Sequence, residues 1–147
     1  MLNEMILVDV NILINAVNGD SPHHSEIRNW LQARLSSGDS IGIPWVVING
    51  FVRITTLAKV LSNPLTLDEA LQTVSGWLAL PNVRIVHPAD THLQIFSSMC
   101  RAANASGNLI TDAHLAALAV EHGLRLASID TDFAKFPGLQ WVNPLIP

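Results

Sequence analysis

The sequence predicts an α/β domain built on a mostly parallel central sheet flanked by helices. Two observations carry this. Four short, near-continuous apolar runs read as strands covered on both faces, and amphipathic helical patterns separate them. A third observation concerns extent. The chain has 147 residues and shows no repeat, low-complexity tract or linker, so one domain is expected over 1–147.

The first strand is expected at Met5–Val8, the second at Ile41–Ile43, the third at Val83–Val86 and the fourth at Leu124–Ala127. Between the first two, Ile27, Trp30, Leu31 and Leu35 form a helical stripe. Ser21 and Pro22 are placed to cap and open that helix. A helix is also expected over Val46–Leu61, despite Gly50 and several β-branched residues. Ala70, Leu71, Val74, Trp77 and Leu78 make the next stripe, and Thr66 with Glu69 gives it a capping box. Leu93, Phe96, Met99, Cys100 and Ala103 follow. The last helix is expected over Thr111–His122, stopped by Gly123.

Apolar residues make up 49% of the chain and charged residues 14%, against about 25% charged in an average domain. Disorder is excluded. So little charge suggests that some apolar surface is buried against partners, as in an oligomer or an obligate complex. With 8 Lys+Arg against 12 Asp+Glu, the net charge is −4, which excludes a broadly basic nucleic-acid coat. A lone cysteine, Cys100, excludes a disulfide framework and a multi-cysteine zinc site. The start, Met1-Leu2-Asn3-Glu4, lacks the basic residues of a secretory signal. No apolar run reaches the ~18 residues of a membrane span. A soluble cytoplasmic protein is expected.

In open α/β sheets, ligands bind beyond the carboxyl ends of the strands. Asp9 follows the first strand and Asp130 the fourth, while Asp112 opens the last helix, whose start should lie at the same edge. Three carboxylates distant in sequence can thus meet. Clustered carboxylates repel unless a cation lies between them, and a hard divalent ion such as Mg2+ or Mn2+ suits oxygen ligands. Phosphate-ester hydrolysis is the chemistry implied.

Each acid also has a structural reading. Asp9 could cap the helix that follows it, Asp112 could answer a helix dipole, and Asp130 could cap a turn with Asp132 as a first-turn acid. Joint placement is what favours function. Other chemistries find little support. His23-His24 lack a metal-ligand spacing, His114 does not share a helix face with Asp112, and His122 suits a helix C-terminus. No phosphate-binding glycine loop, dinucleotide fingerprint or nucleophile elbow is present.

Several segments together resemble PIN-domain proteins, and within them the VapC-type toxins of bacterial toxin–antitoxin pairs. They are Ile6–Asn11, Asn49–Arg53, Gly107–Ala119 and Leu126–Leu139. The resemblance implies a Mg2+- or Mn2+-dependent endoribonuclease, neutralised by a VapB-type antitoxin and forming a homodimer. It implies Asp9, Asp112 and Asp130 as metal-binding and catalytic residues, supported by Asn11, Thr111 and Asp132. Trp30 and Trp45 become candidate groove residues for the antitoxin, with ordinary core packing as the other reading, and Arg28, Arg34 and Arg53 candidate phosphate contacts, with solvated surface charge as theirs. The sequence departs from the family at Gly50, where a glutamate is usual. A non-catalytic PIN-like binding module is the alternative this raises. An aspartate-based phosphatase is a further one, although Asn11 stands where its second aspartate would be.

Overall fold

The computed structural model describes residues 4–146, so of the Met1–Glu4 start only Glu4 lies within them. Strand β1 (Met5–Val8) leads through α1 (Val10–Val17) and α2 (His24–Ser36) to β2 (Ser40–Pro44). Helices α3 (Trp45–Thr55) and α4 (Leu67–Leu78) precede β3 (Val83–Val86). Helices α5 (His92–Ala102) and α6 (Asn108–His122) precede β4 (Arg125–Ala127). A 3-10 helix (Thr131–Lys135) then leads to a short β5 (Trp141–Val142).

The five strands form one sheet in the order β3-β2-β1-β4-β5, and every pairing is parallel. The expected α/β class and parallel sheet are therefore observed, and β5 is an addition that the sequence reading did not include. Right-handed crossovers place α1–α4 over one face as the chain steps outward from β1 to β3, and α5–α6 over the other as it returns to β4. The contacts agree: α1 packs on α2 and α3, α3 on α4, and α5 on α6.

The core runs through the sheet. Ile6, Leu7 and Val8 of β1 are essentially inaccessible, as are Leu126 and Ala127 of β4. Phe51, Leu115, Leu118 and Phe133 fill the layers above and below. Helix α6 is buried from Leu115 through Ala119, so its small residues let it lie close between the sheet and α5. Gly42 in β2 has a steric reason: a Cβ there would stand 2.6 Å from Val86 Cγ2 on β3.

Three helix boundaries differ from expectation. Helix α2 begins at His24, because Ser21 closes a turn ahead of it, its Oγ accepting the His23 N–H at 3.1 Å. Helix α3 stops at Thr55 rather than Leu61. There the Thr55 hydroxyl donates to Phe51 O and the Thr56 hydroxyl to Val52 O, each competing for a helical carbonyl. Helix α6 begins at Asn108, with Gly107 at φ 58° as its N-cap, four residues before Asp112.

Candidate functional site

The strand order reverses between β1 and β4, since β1 leads outward to β2 and β4 lies on its other side. The carboxyl ends of these two strands therefore flank the crevice where open α/β sheets bind ligands. Asp9 leaves β1 there, tied to β4 by its N–H donating to Ala127 O at 3.0 Å. Ser128, Ile129 and Asp130 leave β4 beside it.

Asp9 is buried and is the N-cap of α1. Its Oδ1 accepts the Val10 N–H at 2.7 Å. Its Oδ2 accepts the Ser128 hydroxyl at 2.8 Å and Asn11 Nδ2 at 3.2 Å. Asn11 Nδ2 also donates to Ser128 Oγ at 3.0 Å, and Asn11 Oδ1 accepts the Ile129 N–H at 3.3 Å. Ser128 Oγ in turn accepts the Asp130 N–H at 3.0 Å. One buried hydroxyl thus joins the start of α1 to the loop that carries Asp130. The helix-cap reading of Asp9 and its place among the acids hold together, because only one of its oxygens faces the cap.

Asp130 caps the 3-10 helix, its Oδ1 accepting the Asp132 N–H at 2.9 Å. Phe133 and Phe136 anchor that helix in the core. Asp112, Asp130 and Asp132 each offer an oxygen, and those atoms all lie within 4.8 Å of one another. Asp112 does not open α6 as the sequence suggested; it sits on the second turn, and no acid occupies the first. The dipole acts within the first turn, so it does not account for an acid here.

Electrostatics reflect the crowding. Burial pushes the Asp112 carboxyl up to about 7, reinforced by the charges of Asp130, Asp9 and Asp132 and eased by Lys135. Asp9 is also raised by burial, against the Ser128 and Val10 hydrogen bonds, with Asp130 adding repulsion. Carboxylates raised by burial and further by one another, offering only oxygen donors, fit a hard divalent cation. Such an ion would relieve the repulsion that two buried-side acids otherwise carry.

The structure brings Asp9, Asn11, Asp112, Asp130 and Asp132 to one edge. Thr111 is exposed and, among the described residues, makes no side-chain hydrogen bond to that group. Arg34 is placed elsewhere: it lies at the far end of α2, 3.5 Å from Asp39, just before β2 and so at the opposite edge of the sheet. Arg28 and Arg53 are exposed on α2 and α3. Trp30 is partly buried against the core. Trp45, which follows β2, is 57% exposed. Gly50 is buried, and a Cβ there would meet Val10 Cγ2 at 3.4 Å, so the vacant glutamate position adjoins the residue after Asp9.

Two residues of the site were not singled out in the sequence. Ser128 carried a signal, a small hydroxyl residue directly after a strand at the carboxyl edge. Lys135 carried none, because its closeness to Asp132, 3.0 Å across one turn, depends on the 3-10 geometry.

Comparison with known proteins agrees with this architecture. The PIN domain family matches residues 6–139. Ribonuclease VapC37 of Mycobacterium tuberculosis is 41% identical over 140 residues, covering 95% of this chain and 97% of that one. Ribonuclease VapC25 of the same organism is 37% identical over 142 residues, covering 97% and 100%. Among solved structures, VapBC2 from Rickettsia felis, bound to a DNA fragment from its promoter, superposes with a TM-score of 0.71. That match has 17% identity and covers 95% of this chain and 98% of the other.

Proposed function

This chain belongs to the PIN-domain family, and from that premise we propose that it is the toxin of a type II toxin–antitoxin pair. In this reading it is a metal-dependent endoribonuclease that hydrolyses RNA phosphodiesters and is neutralised by a cognate VapB-type antitoxin. The observation that carries it is the meeting of Asp112, Asp130 and Asp132 within 4.8 Å at the switch point beside Asp9.

Asp9, Asp112 and Asp130 are assigned as the metal-binding and catalytic acids. Asp132 supplies a fourth carboxylate, in place of the glutamate absent at Gly50. The ion is Mg2+ or Mn2+, in keeping with an all-oxygen donor set. When bound, it supplies the Lewis acidity that activates water and offsets charge building on the phosphate. The remaining work belongs to the chain. Ser128 and Asn11 fix the rotamer of Asp9 through Oδ2, the oxygen that does not cap α1. The cap at Asp130 orients Asp132, and the aromatic anchors of the 3-10 helix keep both from collapsing outward.

The partners follow from surfaces. Trp45, Ile48, Val52 and Leu71 line a mostly apolar groove between α3 and α4, suited to an amphipathic segment of an antitoxin. The low charge content supports a homodimer as well. No helix among the described residues is long and apolar enough to cross a membrane, and a cytoplasmic location goes with an RNA substrate.

The test is RNA cleavage by the chain freed of antitoxin, with Mg2+ or Mn2+, beside an EDTA control and an Asp9→Asn/Asp112→Asn double mutant. Cleavage lost in both controls supports the assignment. Cleavage that survives the double mutant removes these acids from the mechanism. RNA binding without cleavage or metal uptake would favour the non-catalytic module, the reading that Gly50 motivates.

A further inference from the structure

The acidic centre poses a problem for any RNA enzyme, because the substrate is a polyanion approaching four carboxylates. Among the described residues, one cation is paired with an acid of that centre: Lys135, whose Nζ lies 3.0 Å from Asp132 Oδ1. Lys135 is also the one group that lowers the raised carboxyl of Asp112, so its charge reaches the middle of the cluster.

The pair is poorly suited to a stabilising role. Its side chains are 54% and 49% exposed, and exposed pairs contribute little to folding. The backbone beneath is fixed, however. Phe133 is 1% exposed and Phe136 4%, and the two bracket Ala134 and Lys135 in sequence. A flexible, strongly charged side chain thus rises from a rigid base at the rim of the centre, held by a partner it can exchange.

We propose that Lys135 is the phosphate-binding cation of this centre. With Asp132 committed to a divalent ion, the ammonium group is released to contact the phosphate of the bound RNA beside the acids. This inference rests on the ribonuclease reading and adds a substrate contact to it. Lysine suits the task as a compact point charge on a flexible stem, and phosphate contacts of this kind position a nucleic acid without reading its bases.

The experiment compares the antitoxin-free parent with Lys135→Met and Lys135→Arg, each checked for an unchanged circular-dichroism melt. Mn2+ affinity is measured by calorimetry, and kcat/KM on one RNA is followed across a salt series with saturating Mn2+. Lys135→Met is expected to cleave roughly 10- to 100-fold more slowly, the loss of one hydrogen bond between charged groups, while binding Mn2+ as tightly as the parent or more so. Its log–log salt slope should be shallower by about 0.7, the loss of one single-strand phosphate contact. Lys135→Arg should recover most of the activity. Cleavage and Mn2+ affinity falling together would overturn the proposal, showing that Lys135 only holds Asp132 in place. Unchanged cleavage in an active background would overturn it alone; a parent that cleaves no RNA with Mn2+ would overturn the ribonuclease reading and this inference with it.

Discussion

Metal uptake by this protein should depend steeply on pH below neutrality. Asp112 holds its proton up to about 7, mainly because it is buried and also because Asp130, Asp9 and Asp132 repel its charge. A carboxylate must lose its proton to ligate a metal. Taking about 7 as the midpoint, the competent fraction falls about fivefold from pH 7 to pH 6 and about tenfold more to pH 5. Mn2+ affinity should fall by the same factors, and Asp9, also raised, steepens the lower part of the curve. Calorimetric titrations in two buffers of different ionisation enthalpy measure both the affinity and the protons released. Close to one proton per ion is expected at pH 6, and Asp112→Asn should bind more weakly with most of the pH dependence gone. An affinity that stays flat from pH 5 to pH 7 with no proton release would refute the reasoning, since it would mean that Asp112 is already charged or is no ligand.

Other outcomes follow from the same geometry. In EDTA, the raised carboxyls of Asp112 and Asp9 favour folding while protonated. Stability relative to Asp112→Asn should be fully present below the unfolded pKa of 3.8 and be lost as pH rises through about 7; thermal melts across that range measure it, and a rising difference would contradict the sign. Ser128→Ala removes a fully buried hydroxyl that donates to Asp9 and accepts from Asn11 and Asp130. A loss of about 1–3 kcal/mol in urea unfolding is expected, together with weaker Mn2+ binding. Gly42→Ala forces a Cβ to 2.6 Å from Val86 and should cost about 1–3 kcal/mol by overpacking. Gly50→Ala meets Val10 at 3.4 Å, an ordinary contact, and should gain up to about 1 kcal/mol of helix propensity with cleavage retained. A destabilised Gly50→Ala would show that α3 cannot give even a little against α1.

Much of this fold could be read from the chain because its strongest signals are local. Met5–Val8 is a continuous apolar run and Val83–Val86 one interrupted only by Arg84, each bounded by polar residues, and both form the expected strands. The Thr66–Glu69 capping box is present in full. Signals failed where a nonlocal partner decides the outcome. Trp141 and Val142 become a strand only because β4 offers them an edge, and two residues carry no periodicity of their own. The end of α3 was set by threonine hydroxyls bonding back to the helix, which β-branched propensity alone does not reveal.

The acids were legible in the same graded way. Asp9 and Asp130 directly follow strands or their immediate continuation, so the edge rule finds them. Asp112 was placed at the correct edge from topology, but its turn on α6 was not, because Gly107 and not a polar cap starts that helix. Asp132 was read as a first-turn acid, which it is, while its approach to Asp112 depends on the path of the 3-10 helix. Arg34 illustrates the converse. The rule that places the start of the last helix at the carboxyl edge puts the end of the helix before β2 at the other one, and Arg34 lies there, 3.5 Å from Asp39.

The order of strands also governs when the acid cluster can form during synthesis. Asp9 leaves the ribosome early, at the end of the first strand, yet that strand is the middle one of the sheet and keeps a bare edge until the fourth arrives. Ser128, which locks the Asp9 side chain, and Asp112, Asp130 and Asp132 all come from the last quarter of the chain. A nascent polypeptide that has emerged only as far as β3 therefore holds Asp9 without the other acids of the cluster. The acid set can assemble only once α6, β4 and the 3-10 helix have emerged and β4 has closed against β1.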